Sequence, residues 1–360
     1  MFAVFAAVSL AQLWAGESLR PVPPEGVTPF DPEPLMEKVA ARIQTDKYRF
    51  AVIGDSKHGA GFPGLLEYLD KVLQPDFVLS TGDMVQAGGG KPGPGYWEKL
   101  AHEGNMAFRE RPWWPVAGNH ELAGSPSRKK SHHDDDDELD ENTPDTTDGL
   151  ANFKRFYNLQ HEYYSFSFRN AVFIALPYPL PKDESEKWLK EELRKAAASG
   201  KHIFVFNHVP FFTVGSKTKK EVPNKENGLT RLFAKCGVCA VFSGHDHTYY
   251  RTVRSGVPYV ISAGGGAKLY ALARMSEALP EDVYYGVDPQ SDKPWMDLVS
   301  GWTGAPKRRY FYHNGAAGWP DRLTEQPDQY AVVVDVDGPK VAMFCVTAKG
   351  EKLDEMVLAR

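Results

Sequence analysis

The sequence predicts an α/β layered domain, and three observations carry that reading. From Tyr48 onward, short β-branched and aromatic runs alternate with amphipathic helical patterns. Most of the early strand-like runs end in a polar cluster rather than a simple turn. The chain has 360 residues, 42% of them hydrophobic and 25% charged, which is enough apolar material for one large core or two small ones.

The elements follow in order. Phe50 to Ile53 reads as a buried strand, Leu65, Leu66, Leu69 and Val72 recur at helical spacing, and Phe77 to Leu79 reads as the next strand. A helix over Tyr96 to Phe108 leads to a strand at Trp114 to Val116, and paired strands are expected at Tyr163 to Phe168 and Ala171 to Leu176. Asp183 with Glu186 three residues on has the pattern of a capping box, and Leu189, Leu193 and Ala197 would line one face of the helix that follows. A strand at His202 to Phe206, a helix around Leu229 to Ala234 and a strand at Ala240 to Phe242 continue the series. Tyr249 to Val253 and Val257 to Ile261 read as a hairpin, and the chain closes with strands at Tyr330 to Val336 and Lys340 to Val346. No internal repeat is visible.

Three segments depart from this grammar. Residues 1–20 have the apolar, uncharged run of a secretory signal, without a basic start, and 21–46 read as a Pro-rich linker before a domain spanning 47–360. That signal implies a secreted or periplasmic protein, and without it a cytoplasmic one is expected. Residues 125–149 form an acidic loop containing His132, His133 and the run Asp134 to Asp137, the composition of a solvated segment. Residues 271–329 are rich in aromatics, from Tyr284 and Tyr285 to Trp319, and read as an insertion with its own small core. Both insertions are expected to flank a pocket and set its specificity, the acidic one favouring an amine-bearing ester over a polyanion.

Composition also excludes partners. A formal net charge of -5 gives no general attraction to nucleic-acid polymers, so an anionic substrate must be drawn by local cations. No later run approaches the roughly 18 apolar residues of a membrane span. Cys236 and Cys239 have C-x-x-C spacing, but no second pair completes a zinc site, and no thioredoxin-like pattern surrounds them. Those cysteines and Cys345 read as structural, and the default oligomeric state is a monomer.

The chemistry sits in five polar clusters that follow predicted strands: Gly54-Asp55, Gly82-Asp83, Gly118-Asn119-His120-Glu121, Asn207-His208 and Gly244-His245-Asp246-His247. Loops at the carboxyl ends of strands converge in an open α/β sheet, so groups far apart in sequence can meet. The set offers carboxylates, an amide oxygen and imidazoles, a mixed N/O inventory suited to zinc, iron or manganese. A pair of divalent or trivalent ions would need one bridging carboxylate, would clamp phosphoryl oxygens and would turn a bound water into hydroxide as nucleophile. A leaving alkoxide needs a proton, and His120, next to a candidate ligand, fits that task.

These blocks resemble, in order and content, the calcineurin-like metallophosphoesterase superfamily, which includes purple acid phosphatases and cyclic-nucleotide phosphodiesterases. The resemblance covers about Tyr48 to Ala267 and the last strands. It implies a four-layer α/β/β/α sandwich of two mixed sheets flanked by helices, and hydrolysis of a phosphomonoester or phosphodiester. By that resemblance Asp55, Asp83 and His247 are ligands of a first metal, and Asp83, Asn119, His208 and His245 of a second, with Asp83 bridging. His120 is similar to the family histidine that faces the leaving group. Gly118 and Gly244 are expected to permit tight turns.

The first block departs from the family pattern. Most members place a histidine two residues after the first aspartate, where this chain has Lys57 followed by His58. Purple acid phosphatases place a tyrosine three residues after the second aspartate, where this chain has Gln86. The first metal is therefore held by three protein ligands and water, or recruits His58 or Gln86, while Lys57 is available to a substrate phosphate. The same departure motivates an alternative, a family member that has lost catalysis and serves as a binding or scaffolding protein. Asp246 and Glu121 either orient ligands or face solvent, and His102, His161, His202 and His313 read as structural or surface residues.

Overall fold

The computed structural model describes residues 30–104, 111–123, 147–216, 218, 221–289, 309–315, 319–324 and 329–358. The expected signal segment, almost all of the acidic loop and the middle of the aromatic segment lie outside these residues. Strands β1 (Lys47–Ile53), β2 (Phe77–Ser80) and β3 (Trp113–Pro115) open a first sheet. A second sheet takes β4 (Tyr164–Phe168), β5 (Ala171–Ala175), β6 (His202–Phe206), β7 (Ala240–Ser243), β8 (Tyr249–Arg254) and β9 (Val257–Ser262). It continues through β10 (Val283–Val287), β11 (Tyr310–Asn314) and β12 (Trp319–Thr324), and the chain returns to the first sheet with β13 (Tyr330–Asp337), β14 (Lys340–Thr347) and β15 (Lys352–Leu358). The strand orders are β15-β14-β13-β1-β2-β3 and β12-β11-β10-β8-β9-β7-β6-β5-β4.

Both sheets are mixed: β1, β2 and β3 run parallel while β13 is antiparallel to β1, and β5, β6, β7 and β9 run parallel between antiparallel flanks. The helices are α1 (Pro32–Arg42), α2 (Phe62–Tyr68), α3 (Gly93–Glu103), α4 (Asn119–Leu122), α5 (Thr147–Phe156), α6 (Asp183–Ser199) and α7 (Gly228–Cys236). The expected fold of two mixed sheets flanked by helices is the observed one.

Strand periodicity explains the layering. Phe173, Phe204 and Phe242 point between the sheets, where Phe50 meets Phe173 and Phe204 edge to face at 5.3 and 5.2 Å. Their neighbours Val172, Ile174, Ile203, Val205 and Val241 point the other way, against Leu189, Leu193 and Ala196 of α6 and Phe233 of α7. Strands buried on both faces read as continuous apolar runs, which is why these were legible.

Several expectations are corrected. The linker at 21–46 contains α1, whose Asp31 caps the Glu33 amide and whose Met36 and Val39 are buried. The Asp183 capping box does not form. Lys182 precedes the helix instead, and the Ser185 hydroxyl receives the Lys182 amide at 3.0 Å and donates to its carbonyl at 2.8 Å. On that helix Ala196, not Ala197, faces the core. After α2 the chain continues as a π-helical turn over Leu69–Leu73, and Leu73 is buried while Val72 is left exposed. The aromatic segment has no core of its own in its described part: β10 pairs with β8, and Tyr285, Tyr310 and Tyr312 join the core between the sheets.

Cys239 and Cys345 are buried thiols, and Cys236 ends α7, so the structural reading of the cysteines holds. Among the described residues no helix is long and apolar enough to cross a membrane.

Candidate metal centre

The five clusters meet at one edge of the sandwich. Asp55 follows β1, Asp83 follows β2, Asn119 and His120 open α4 after β3, His208 follows β6, and His245 and His247 follow β7. One donor atom each from Asp55, Asp83 and His247 lies within 4.8 Å of the others, and so do atoms from Asp83, His208 and His245. Asp83 belongs to both groups.

The turns are shaped by close approach. Asp55, Asp83 and His245 sit at φ 59, 54 and 69°, a left-handed conformation in which aspartate is tolerated better than most residues. The glycines serve another purpose than the expected tight turns. A Cβ at Gly118 would lie 2.2 Å from Asp83 Oδ1, and one at Gly244 would lie 2.5 Å from Asp55 Oδ2, so each leaves room for a ligand oxygen.

Hydrogen bonds fix the tautomer of every histidine in the centre. A carbonyl or carboxylate can only accept, so the ring nitrogen that faces it carries the proton. His208 Nδ1 donates to Thr81 O at 2.7 Å, His247 Nδ1 to Lys268 O at 2.8 Å, and His120 Nδ1 to Gln86 O at 2.7 Å. His245 is reversed: Nε2 donates to Glu221 Oε2 at 3.0 Å, which turns Nδ1 inward. In its neutral form each ring therefore presents a lone pair towards the centre.

Those lone pairs crowd one another. His208 Nε2 lies 3.0 Å from Asn119 Oδ1, 3.1 Å from His245 Nδ1 and 3.3 Å from Asp83 Oδ1, while His245 Nδ1 is 2.9 Å from Asn119 Oδ1. Two ligands about 2.1 Å from one ion and at right angles stand roughly 3 Å apart, so the spacing fits a shared cation. His247 Nε2 stands 3.4 Å from Asp55 Oδ1 in the other group. Asp83 Oδ2 is buried and accepts no hydrogen bond among the described residues. Imidazole nitrogens, an amide oxygen and carboxylate oxygens at these spacings form a mixed N/O set that could hold a metal ion.

The electrostatics agree. Burial pushes the Asp55 carboxyl up to about 8, opposed by His208 and reinforced by the charge of Asp83. Burial works to raise Asp83 too, but His208, His120 and Lys57 outweigh it and hold that carboxyl well below the usual range. His208 is driven up to about 9 because Asp83 and Asp55 overcome its own burial. Two buried carboxylates this close need a cation beside them to ionise together.

The structure thus brings together Asp55, Asp83, Asn119, His208, His245 and His247, with His120 Nε2 placed 3.8 Å from Asp83 Oδ2. It does not bring in His58, whose Nδ1 pairs with Glu103 Oε2 at 2.7 Å and whose ring stacks on Tyr96. Gln86 is diverted as well, its Nε2 donating to Lys57 O at 2.9 Å. The Lys57 ammonium lies 3.4 Å from Asp83 Oδ2.

Two residues of ambiguous reading resolve. Glu121 is buried and takes the amides of Asp83, Met84 and Gly118, each at 2.7 Å. Asp246 is buried beneath the centre, accepting from Thr213 and Thr218. His102 lies in the last turn of α3, and His202 Nε2 donates to Gly338 O at 2.9 Å, in keeping with structural roles. Sequence reasoning missed Glu221, Tyr178 and Tyr270. Tyr270 stacks on His247 at 4.0 Å, and Tyr178 meets His208 edge on at 5.7 Å. All three come from loops with no distinctive spacing, so the sequence carries no signal for them.

Comparison with known proteins shows the family. Residues 48–249 match the model of the calcineurin-like phosphoesterases. The serine/threonine-protein phosphatase CPPED1 of Bos taurus is 27% identical over 263 residues, covering 63% of this chain and 74% of that protein. Its namesake in Danio rerio is 27% identical over 214 residues, covering 54% of this chain and 62% of that one, so less than two thirds of the fish protein is spanned. Among solved structures, the purple acid phosphatase PPD1 from Lupinus luteus seeds superposes with a TM-score of 0.61 at 14% identity, over 88% of this chain and 54% of the other. That likeness is one of fold.

Proposed function

This chain belongs to the calcineurin-like phosphoesterase family and is a metallophosphoesterase, and from that premise we propose that it hydrolyses a phosphate ester at a centre of two transition-metal ions. Asp55, Asp83 and His247 would hold the first ion, and Asp83, Asn119, His208 and His245 the second. The two oxygens of Asp83 face different partners, Oδ1 towards His208 at 3.3 Å and Oδ2 towards Lys57 at 3.4 Å, which suits a bridging carboxylate. The observation that carries the reading is the crowding of acceptors whose ring protons all point outward. Iron, manganese and zinc all suit this donor set.

When bound, the ions would polarise the phosphoryl oxygens and lower the pKa of a water towards neutrality. The protein's own groups do the rest. With Nδ1–H held on Gln86 O, His120 can exchange a proton only at Nε2, which points into the centre and can protonate a leaving alkoxide. Tyr270 and Tyr178 pack on His247 and His208 and restrict rotation of those rings. The names of the two CPPED1 relatives favour a phosphomonoester over a diester.

Elemental analysis combined with hydrolysis of p-nitrophenyl phosphate and bis(p-nitrophenyl) phosphate tests the proposal. Activity should vanish on chelation and return with metal, and the faster ester assigns the substrate class. A folded sample that binds no metal and hydrolyses neither ester, across several metals, would replace this reading with the binding-protein alternative.

A further inference from the structure

We propose that Lys57 is a built-in cation of the first metal site, whose ammonium competes with the first ion for Asp83, so that the two sites fill in sequence, the second group first. The proposal rests on the two-ion reading above.

Three features place the ammonium there. The Lys57 backbone is pinned at both ends, its N–H donating to Asp83 O at 3.2 Å and its carbonyl accepting from Gln86 Nε2 at 2.9 Å. Its φ of 42° holds the residue in the left-handed region. The side chain is only 11% exposed, so the ammonium leaves Asp83 Oδ2 only by giving up that burial.

The two ligand groups are unequal in other ways. Carbonyls back His208 and His247 alike, but in the second group His245 is backed by the Glu221 carboxylate, which sharpens that ring further as a donor to metal. The first group has one imidazole, His247, and the two residues that could enlarge it are committed elsewhere, His58 to Glu103 and Gln86 to Lys57. The first site therefore has fewer ligands and a positive charge already inside it. Two unit charges about 4 Å apart at an effective dielectric of about 20 repel by roughly a thousandfold in affinity. The flexible stem of lysine reduces this, and a difference of at least about tenfold between the sites is expected.

Titration of the full chain with Co2+, followed by calorimetry and by the visible absorption of the bound ion, tests this. The wild-type protein is expected to bind one ion tightly and a second at least about tenfold more weakly. Lys57→Gln should tighten the weak step about tenfold and leave the tight step unchanged, Lys57→Arg should leave both as they are, and Asp55→Asn should remove the weak step alone. Two equally tight ions in the wild type, or a weak step that Lys57→Gln does not move, overturns the role of Lys57 and leaves the two-ion reading standing. If Lys57→Gln does not fold, the wild-type and Lys57→Arg titrations still decide, because equal affinities in either contradict the proposal. No Co2+ bound by folded wild-type protein overturns both readings together.

Discussion

The Glu121 carboxylate accepts the Asp83 amide N–H at 2.7 Å, so the aspartate shared by both ligand groups is set by a side chain 38 positions further along the chain. Glu121 Oε2 also takes the Gly118 amide, and Oε1 takes those of Met84 and Val85. One buried carboxylate thereby ties together two of the loops that carry ligands. Glu121→Gln keeps the shape but turns an NH2 group towards two of these donors. A loss of about 2–4 kcal/mol in urea-induced unfolding is expected, together with reduced metal content.

Gly118→Ala separates steric from conformational effects. The residue has φ -107°, which alanine accepts readily, yet its Cβ would meet Asp83 Oδ1. The far-UV circular dichroism should be retained while kcat/KM falls about a hundredfold through displacement of the aspartate.

His120→Asn removes the proposed proton donor and spares the proposed ligands. It is expected to lower kcat by about 10²–10⁴ with unchanged metal content. The loss should be larger for an alkyl phosphate than for p-nitrophenyl phosphate, because nitrophenolate leaves without a proton. Equal losses on both esters would place His120 in binding rather than proton transfer.

Glu221 orients His245 from the rim, where its side chain is 58% exposed. Glu221→Ala is expected to weaken metal binding about 10- to 100-fold in competition with a chelator. Glu221→Gln keeps an acceptor oxygen and should lose less.

The metal-free protein should lose stability as pH rises. Asp55 has its pKa raised to about 8 and Glu121 to about 7, both chiefly by burial, so the folded state keeps protons that the unfolded chain sheds above its ordinary carboxyl range. His208, raised to about 9, acts in the same direction above its unfolded value. Asp83 is lowered, so its contribution is present above the ordinary carboxyl range and is lost only in stronger acid. Between pH 5 and 8, Tm in chelator should therefore fall as pH rises. With metal the trend should reverse, because the ion displaces these protons and binds more tightly as pH increases.

The site was more legible than the architecture around it. Asp55, Asp83, Asn119, His208, His245 and His247 stand just after strands, so sequence could gather them as one candidate set, and the resemblance to a family divided that set between two sites. Glu121 was seen but not understood, since a carboxylate that serves four amides looks in sequence like one that faces water. Glu221 lies in the loop between β6 and α7, and its meeting with His245 depends on tertiary packing. Strand β15 was missed because Lys352 to Leu358 mixes charged and apolar residues without clean alternation. The segment carrying strands β10 to β12 reads as an insertion because nothing local states that the edge of β8 is open to it. Asp183 failed as a cap because Ser185 reaches Lys182 from within the helix, a competition between neighbours that a motif does not arbitrate.

Each ligand group draws on both sheets: Asp55, Asp83 and Asn119 extend from the six-stranded one, and His208, His245 and His247 from the nine-stranded one. Neither sheet alone completes either group. If the proposed ions bind, loading would be an inspection of assembly, passed only by a molecule whose two halves have docked in the right alignment. A nascent or damaged chain with its sheets apart would be blind to metal, and catalytic power would appear all at once, as the last event of folding.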